Sequence, residues 1–232
     1  MMNTPIKFII VFVMGFLLSS DLYSQIFYRI EADYSVKEKS NNGYENLTMG
    51  RVYYDKNQHQ IVFNVLFPDK TIIIVNDSAT ISVNKGTYKK HKLGENLIDF
   101  SVLNLFLNGK LEYFGLNNTP FKLEKVEKDD GLVISTWKLE NKYVNSPVSK
   151  MLLSQKDNNL YGLITFGPED KIISKQIFSD YISVNGLSFP SRIIQFNYSP
   201  DGTQVTKITT YKNVVINNPK NDTFYKCRYL PD

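Results

Sequence analysis

Apolar and polar positions alternate along much of this chain. Between Gln25 and Lys37, Ile26, Tyr28, Ile30, Ala32, Tyr34 and Val36 fall on one side, and Arg29, Glu31, Asp33, Ser35 and Lys37 on the other. A period of two over this length predicts a long strand with one face on a core and the other in water, the habit of an antiparallel sheet. After the turn Ser40-Asn41-Asn42-Gly43, the stretch Leu47 to Val83 contains four strand-like runs. Asp55-Lys56-Asn57, Pro68-Asp69 and Asn76-Asp77 separate them, so the stretch predicts an antiparallel meander. Ile61, Phe63, Val65 and Phe67 share one face of its second strand. The run Ile72 to Val75 is apolar on both faces and calls for cover on both sides.

The pattern changes once, from period two to a helical one. Asn96 can cap, Asp99 can reach back to the cap, and Gly109 can stop a helix. The residues between them are apolar around most of the circumference, including Phe100, Leu103 and Leu107, with Asp99, Ser101 and Asn104 as a narrow polar stripe. Such a helix must be buried on nearly all sides, either as a core helix or as a movable lid. Strand-like runs then resume: Phe121 to Glu127 and Leu132 to Glu140 about Asp130-Gly131, Lys150 to Gln155, Leu160 to Phe166, Lys171 to Val184, Leu187 to Tyr198 and Thr203 to Asn217. Trp137 faces inward with Val133 and Leu139. The tail from Asn218 has no period and is expected along a sheet edge. Ten or eleven strands in sequential hairpins with one helix predict a mainly β (α+β) fold, a meandering antiparallel sheet curling toward a barrel. No linker divides residues 25–232, which are expected to form one domain.

The first 24 residues stand apart. Lys7 precedes an apolar run from Phe8 to Leu18, and small polar residues lead to Ser24-Gln25. This predicts a cleaved signal peptide, because the run is short for a membrane span of about 20 residues. No cysteine follows the run to accept a lipid, so a periplasmic, exported chain is expected. Cys227 is the only cysteine, which rules out an internal disulfide and leaves stability to the core. The formal charge of +4 is scattered, and its densest cluster, Lys89-Lys90-His91-Lys92, reads as a solvated loop. No basic stripe with interleaved aromatics argues for nucleic acid.

Catalytic and metal chemistry find little to use. The two histidines, His59 and His91, lie in polar turn-like sequence, and no Gly-x-Ser-x-Gly elbow occurs. Two histidines and one cysteine, widely spaced, make a poor zinc site. Asp129-Asp130 and Glu169-Asp170 fall in turns, where aspartate stabilises the turn itself. No enzyme activity and no cofactor are expected. Fifteen Tyr and fifteen Phe either pack a dry core or line a pocket for an apolar ligand.

Two stretches resemble the periplasmic lipoprotein-carrier (LolA-like) superfamily and its outer-membrane lipoprotein-sorting proteins. The first is Gly50, Tyr53-Tyr54, Pro68 and Ile74-Val75-Asn76-Asp77. The second is Tyr181 to Pro190, followed by Thr210 to Val214 and Asn217. The resemblance implies an incomplete β-barrel, closed on one side by helices, that holds acyl chains in a hydrophobic cavity. The cavity and lid would draw on Ile26, Tyr28, Ile61, Phe63, Val65, Phe67, Phe100, Leu103, Leu107 and Trp137. Two departures stand out: Asp77 is followed by Ser78 rather than Gly, and Arg51, the basic residue nearest the family's lid-latching arginine, adjoins Gly50 and reads as a surface strand residue. The leading expectation is a non-enzymatic carrier, monomeric, with lipid or lipoprotein acyl chains as cargo and a membrane-bound donor and acceptor as possible partners. The alternative is an envelope interaction or sensor module whose half-barrel is filled by its own side chains. A lipid-modifying enzyme, lacking a nucleophile–base pair, stands third.

Overall fold

A computed structural model describes residues 27–77, 79–84, 86–92, 98–140 and 146–226. The expected signal peptide, Ile26, the helix cap Asn96 and Cys227 lie outside them. Among the described residues thirteen strands follow one another: β1 (Arg29–Ser40), β2 (Glu45–Asp55), β3 (Gln60–Phe67), β4 (Thr71–Val75), β5 (Ala79–Asn84), β6 (Thr87–Lys92), β7 (Phe121–Asp129), β8 (Leu132–Leu139), β9 (Lys150–Lys156), β10 (Asn159–Phe166), β11 (Ile172–Val184), β12 (Leu187–Tyr198) and β13 (Gln204–Ile216). They form one antiparallel sheet in the order β6-β5-β4-β3-β2-β1-β13-β12-β11-β10-β9-β8-β7. Every neighbour but one is a sequential hairpin. The exception, β1 against β13, joins the two ends of the chain's strand series. The sheet is a curled half-barrel whose edges β6 and β7 do not meet.

The strand count exceeds the expected ten or eleven partly because Lys89, Lys90 and His91 lie in β6 and not in a loop. Lysines along an edge strand discourage pairing with another sheet, and β7 carries Lys122, Lys125 and Lys128 at the other edge. At the β7–β8 turn, Asp130 and Gly131 adopt the positive φ angles of 43° and 75°, as a two-residue hairpin requires.

Two apolar clusters fill the concave face. One gathers Ile30, Ala32, Tyr34, Val52, Tyr54, Ile61, Phe189 and Ile216 against the β6–β7 connection; the other centres on Trp137, Leu153, Leu160, Leu163 and Phe178. A third cluster, Tyr53, Val62, Ile74, Ala79, Ile81 and Tyr225, lies on the convex face. Ile74 and Val75 therefore pack on opposite sides, as the two-faced apolar run of β4 requires.

The convex cover comes from the tail, which corrects its expected place along an edge. A short helix α2 (Asp222–Tyr225) crosses β2 and β3, with Phe224 stacked on Tyr53 at 4.7 Å. The outward side of β1 is accordingly not all in water. Glu31 is 1% exposed and accepts from Asn218 Nδ2 at 2.8 Å, Asn221 Nδ2 at 3.1 Å and Tyr225 Oη at 3.1 Å. Arg29 pairs with Asp55 at 2.7 Å and Asp222 at 2.5 Å. Buried charges are tolerable only when paired and hydrogen-bonded in this way. Alternation alone cannot reveal that a distant segment will supply the partners.

Candidate functional site

The β6–β7 connection crosses the concave face and carries helix α1 (Val102–Leu107). It is shorter than the expected Leu97–Asn108 helix, because residues 98–100 form turns and Ser101 is the cap, its Oγ accepting from Asn104 N at 3.2 Å. Asp99 is not a capping-box residue. Its carboxylate lies 3.3 Å from His59 Nε2, while His59 Nδ1 contacts Asp77. One imidazole thus bridges the β4–β5 turn and the covering segment. The C-terminus closes as a Schellman motif: Gly109, at φ 62°, donates to Phe106 O, and Lys110 N donates to Leu105 O at 2.8 Å.

Every residue of α1 is buried. Val102, Leu103, Phe106 and Leu107 pack into the first concave cluster, whereas Leu105 joins Phe114, Leu116 and Trp137 in the second. Asn104 is not part of a solvent-facing stripe. It is 7% exposed, and its Oδ1 accepts from Tyr54 Oη at 2.5 Å and Asn108 Nδ2 at 2.8 Å, while its Nδ2 donates to Asp99 O at 3.0 Å. Burial, with Asp99, Asp55 and Asp77 nearby, pushes the Tyr54 phenol above its ordinary range and keeps it a donor. Tyr54–Asn104 is the polar clasp between sheet and helix. Sequence reasoning missed it, although a lone Asn within an apolar helix was the available signal.

The structure brings together most of the expected lining residues. Ile61 and Phe63 belong to the first concave cluster with Leu103 and Leu107, and Phe63 meets Tyr34 edge-on at 5.4 Å. Trp137 and Phe100 belong to the second, and Trp137 Nε1 donates to Ser135 Oγ at 2.9 Å. Val65 is buried. Phe67 is a correction: it is 44% exposed and lines a separate groove of about 380 Å³ with Met49, Leu66 and Gly50. The register between β2 and β3 shifts by one residue between Met49 and Gly50, which re-aims the end of β3. Tyr28 is also displaced. Its ring lies 5.3 Å from the Arg29 guanidinium, and Phe27 packs on the concave cluster in its place. Arg51 faces away from the covering segment, 3.3 Å from Glu31 and 3.4 Å from Asp33, which suits a strand-surface arginine and not a latch.

A cleft of about 640 Å³ remains between the covering segment and the β7–β8 edge. Phe100, Leu105, Phe121 and Leu139 supply its apolar lining; Asp99, Asn104, Lys110, Asn118 and Thr119 its polar one. Among the described residues no group of three His, Cys, Asp or Glu could hold a metal ion, and no helix is long and apolar enough to cross a membrane.

An open antiparallel half-barrel with a helical segment over its concave face defines the LolA-like class of fold. The chain is similar to a LolA superfamily protein from Nitrosomonas europaea, with 12% identity, TM-score 0.57, and coverage of 91% of this chain and 96% of that one. It is similar to a putative outer membrane lipoprotein-sorting protein domain from Vibrio parahaemolyticus at 11% identity and TM-score 0.57, covering 86% and 90%. A DUF1329 family protein from Desulfovibrio piger matches at 12% identity and TM-score 0.56, over 96% and 98%. No family model and no curated protein sequence matches the chain. At these identities the likeness establishes the fold alone.

Proposed function

We propose that this protein is an exported, non-enzymatic carrier that shelters lipid acyl chains between the concave sheet face and the α1 segment. One observation carries the reading. The apolar concave face is closed by a segment whose α-helix is six residues long, held to the sheet through side chains such as Tyr54–Asn104 and His59–Asp99. Displacing that segment would uncover a contiguous apolar trough; each acyl CH₂ buried there is worth about 0.8 kcal/mol. The family resemblance of the sequence and the shared fold support a periplasmic setting and a lipid or lipoprotein cargo, exchanged with membrane-bound partners.

Protein purified from its exported fraction without detergent, then extracted for mass spectrometry, is expected to release an acylated species in stoichiometric amount. Leu103→Glu places a charge within the first concave cluster and is expected to abolish uptake of a fluorescent acyl probe while the far-ultraviolet β signal persists. Undiminished uptake by that variant would remove α1 from the mechanism. A second reading, an envelope interaction module, is favoured by the tight packing of Val102, Leu103, Phe106 and Leu107 into the sheet. It predicts a lipid-free protein that takes up no probe and is recovered cross-linked to a protein partner.

A further inference from the structure

Building on the carrier reading, we infer that the cleft beside β7 and β8 is a binding site for a single-chain lipid with a carboxylate head, a fatty acid, and that Lys110 recognises the head. Three observations converge. The cleft's volume, about 640 Å³, falls within the range of roughly 300–1,000 Å³ typical of small-ligand sites, room for one acyl chain and not for a multiply acylated anchor. Its lining is divided in the way an amphiphile requires. Leu105, 1% exposed, and the half-buried Phe100, Phe121 and Leu139 form the apolar part, while Lys110 and Asn118 are exposed.

The charges at the cleft are also unequal. Among the described residues it holds one cation and one carboxylate, but the carboxylate of Asp99 is turned to His59 at 3.3 Å. Lys110 makes no ion pair among the described residues and is left to meet an anion. Its backbone is fixed from both sides, N–H to Leu105 O at 2.8 Å and C=O from Gly115 N at 3.0 Å, so the ammonium swings from a rigid base at the end of α1. Gly115 is required there: a Cβ would lie 2.9 Å from Leu105 Cδ2 at a φ of 71°. An aliphatic tail against Leu105 and Phe121 would bring its head group within reach of the lysine stem.

The test is displacement of a neutral apolar dye from the full mature chain by dodecanoate and by dodecanol, at low and high salt. Dodecanoate is expected to bind about fivefold more tightly, the scale of an exposed ion pair, with the preference shrinking as salt rises. Lys110→Met should equalise the two ligands and Lys110→Glu should reverse the order, both without loss of dodecanol binding. Equal binding by the unaltered protein, or a preference that survives Lys110→Met, would overturn the assignment while leaving the carrier reading intact. Failure of both ligands to displace a dye that does bind would overturn the cleft as a lipid site. A protein that binds neither dye nor ligand would overturn the carrier reading itself.

Discussion

The clasp between Tyr54 and Asn104 can be tested by a double-mutant cycle, because the two single changes break it unequally. Tyr54→Phe removes the donor of the 2.5 Å bond, but Asn104 Oδ1 keeps Asn108 Nδ2 at 2.8 Å. The loss is one hydrogen bond, about 1 kcal/mol. Asn104→Leu is similar in size, yet it leaves the Tyr54 hydroxyl without an acceptor in a site where the side chain is fully buried. An orphaned buried donor costs about 1–3 kcal/mol. Bonds from Asn104 Nδ2 to Asp99 O and from Asn108 Nδ2 are lost as well, so the expected total is near 3 kcal/mol. In the double variant the unsatisfied hydroxyl is gone, and about 1 kcal/mol of the summed losses should be recovered. Urea unfolding at constant slope reads all four stabilities. Amide exchange at residues 102–107 should quicken most in Asn104→Leu if α1 loosens locally. Additivity within about 0.3–0.5 kcal/mol would refute the clasp and leave α1 held by apolar contact alone.

Gly50→Ala should destabilise by more than about 2 kcal/mol, because the new Cβ would stand 2.1 Å from Asn64 O and 2.9 Å from Val65 Cα; a thermal midpoint within a degree or so of the parent would show that β3 gives way freely. Stability should also fall on the alkaline side. Burial raises Tyr34 to about 12 and lifts Tyr54, Tyr181 and Tyr211 as well. Since each folded value lies above the unfolded phenol near 10, the stability linked to these groups is present below about pH 10 and lost as pH rises through the folded values. Exposed tyrosines such as Tyr44 and Tyr161 should ionise first in the folded protein, and the phenolate absorbance of the buried ones should appear together with unfolding; complete ionisation of every tyrosine in a still-folded protein would contradict the burial argument.

The groove at Phe67 and the cleft at Lys110 lie on different parts of the sheet, and their origins differ. Phe67 is set by a bulge, a local event in the pairing of two strands. Lys110 is set by a helix ending whose glycine is visible in the sequence but whose carbonyl partners are fixed only once α1 has stopped at Asn108. His59, expected in polar turn-like sequence, meets Asp77 and Asp99, which lie 18 and 40 residues away in sequence. Those separations explain why no local motif announced it.

The elements were legible in the linear pattern: period-two alternation placed the predicted strands within a few residues of their observed bounds, and Asn, Asp and Gly pairs marked their turns. The pattern also located the one apolar helical stretch among them. These features depend on neighbours a few positions apart, so a linear pattern contains them. Tertiary structure decided what each face meets. Glu31 looked solvent-facing and is buried because Asn218, Asn221 and Tyr225 return to it. Asn104 read as part of a narrow polar stripe, and its place in the buried helix depends on Tyr54, which supplies its partner. Alternation distinguishes the two sides of a strand, but whether water or a distant segment covers a given side depends on contacts that close only when the sheet has curled.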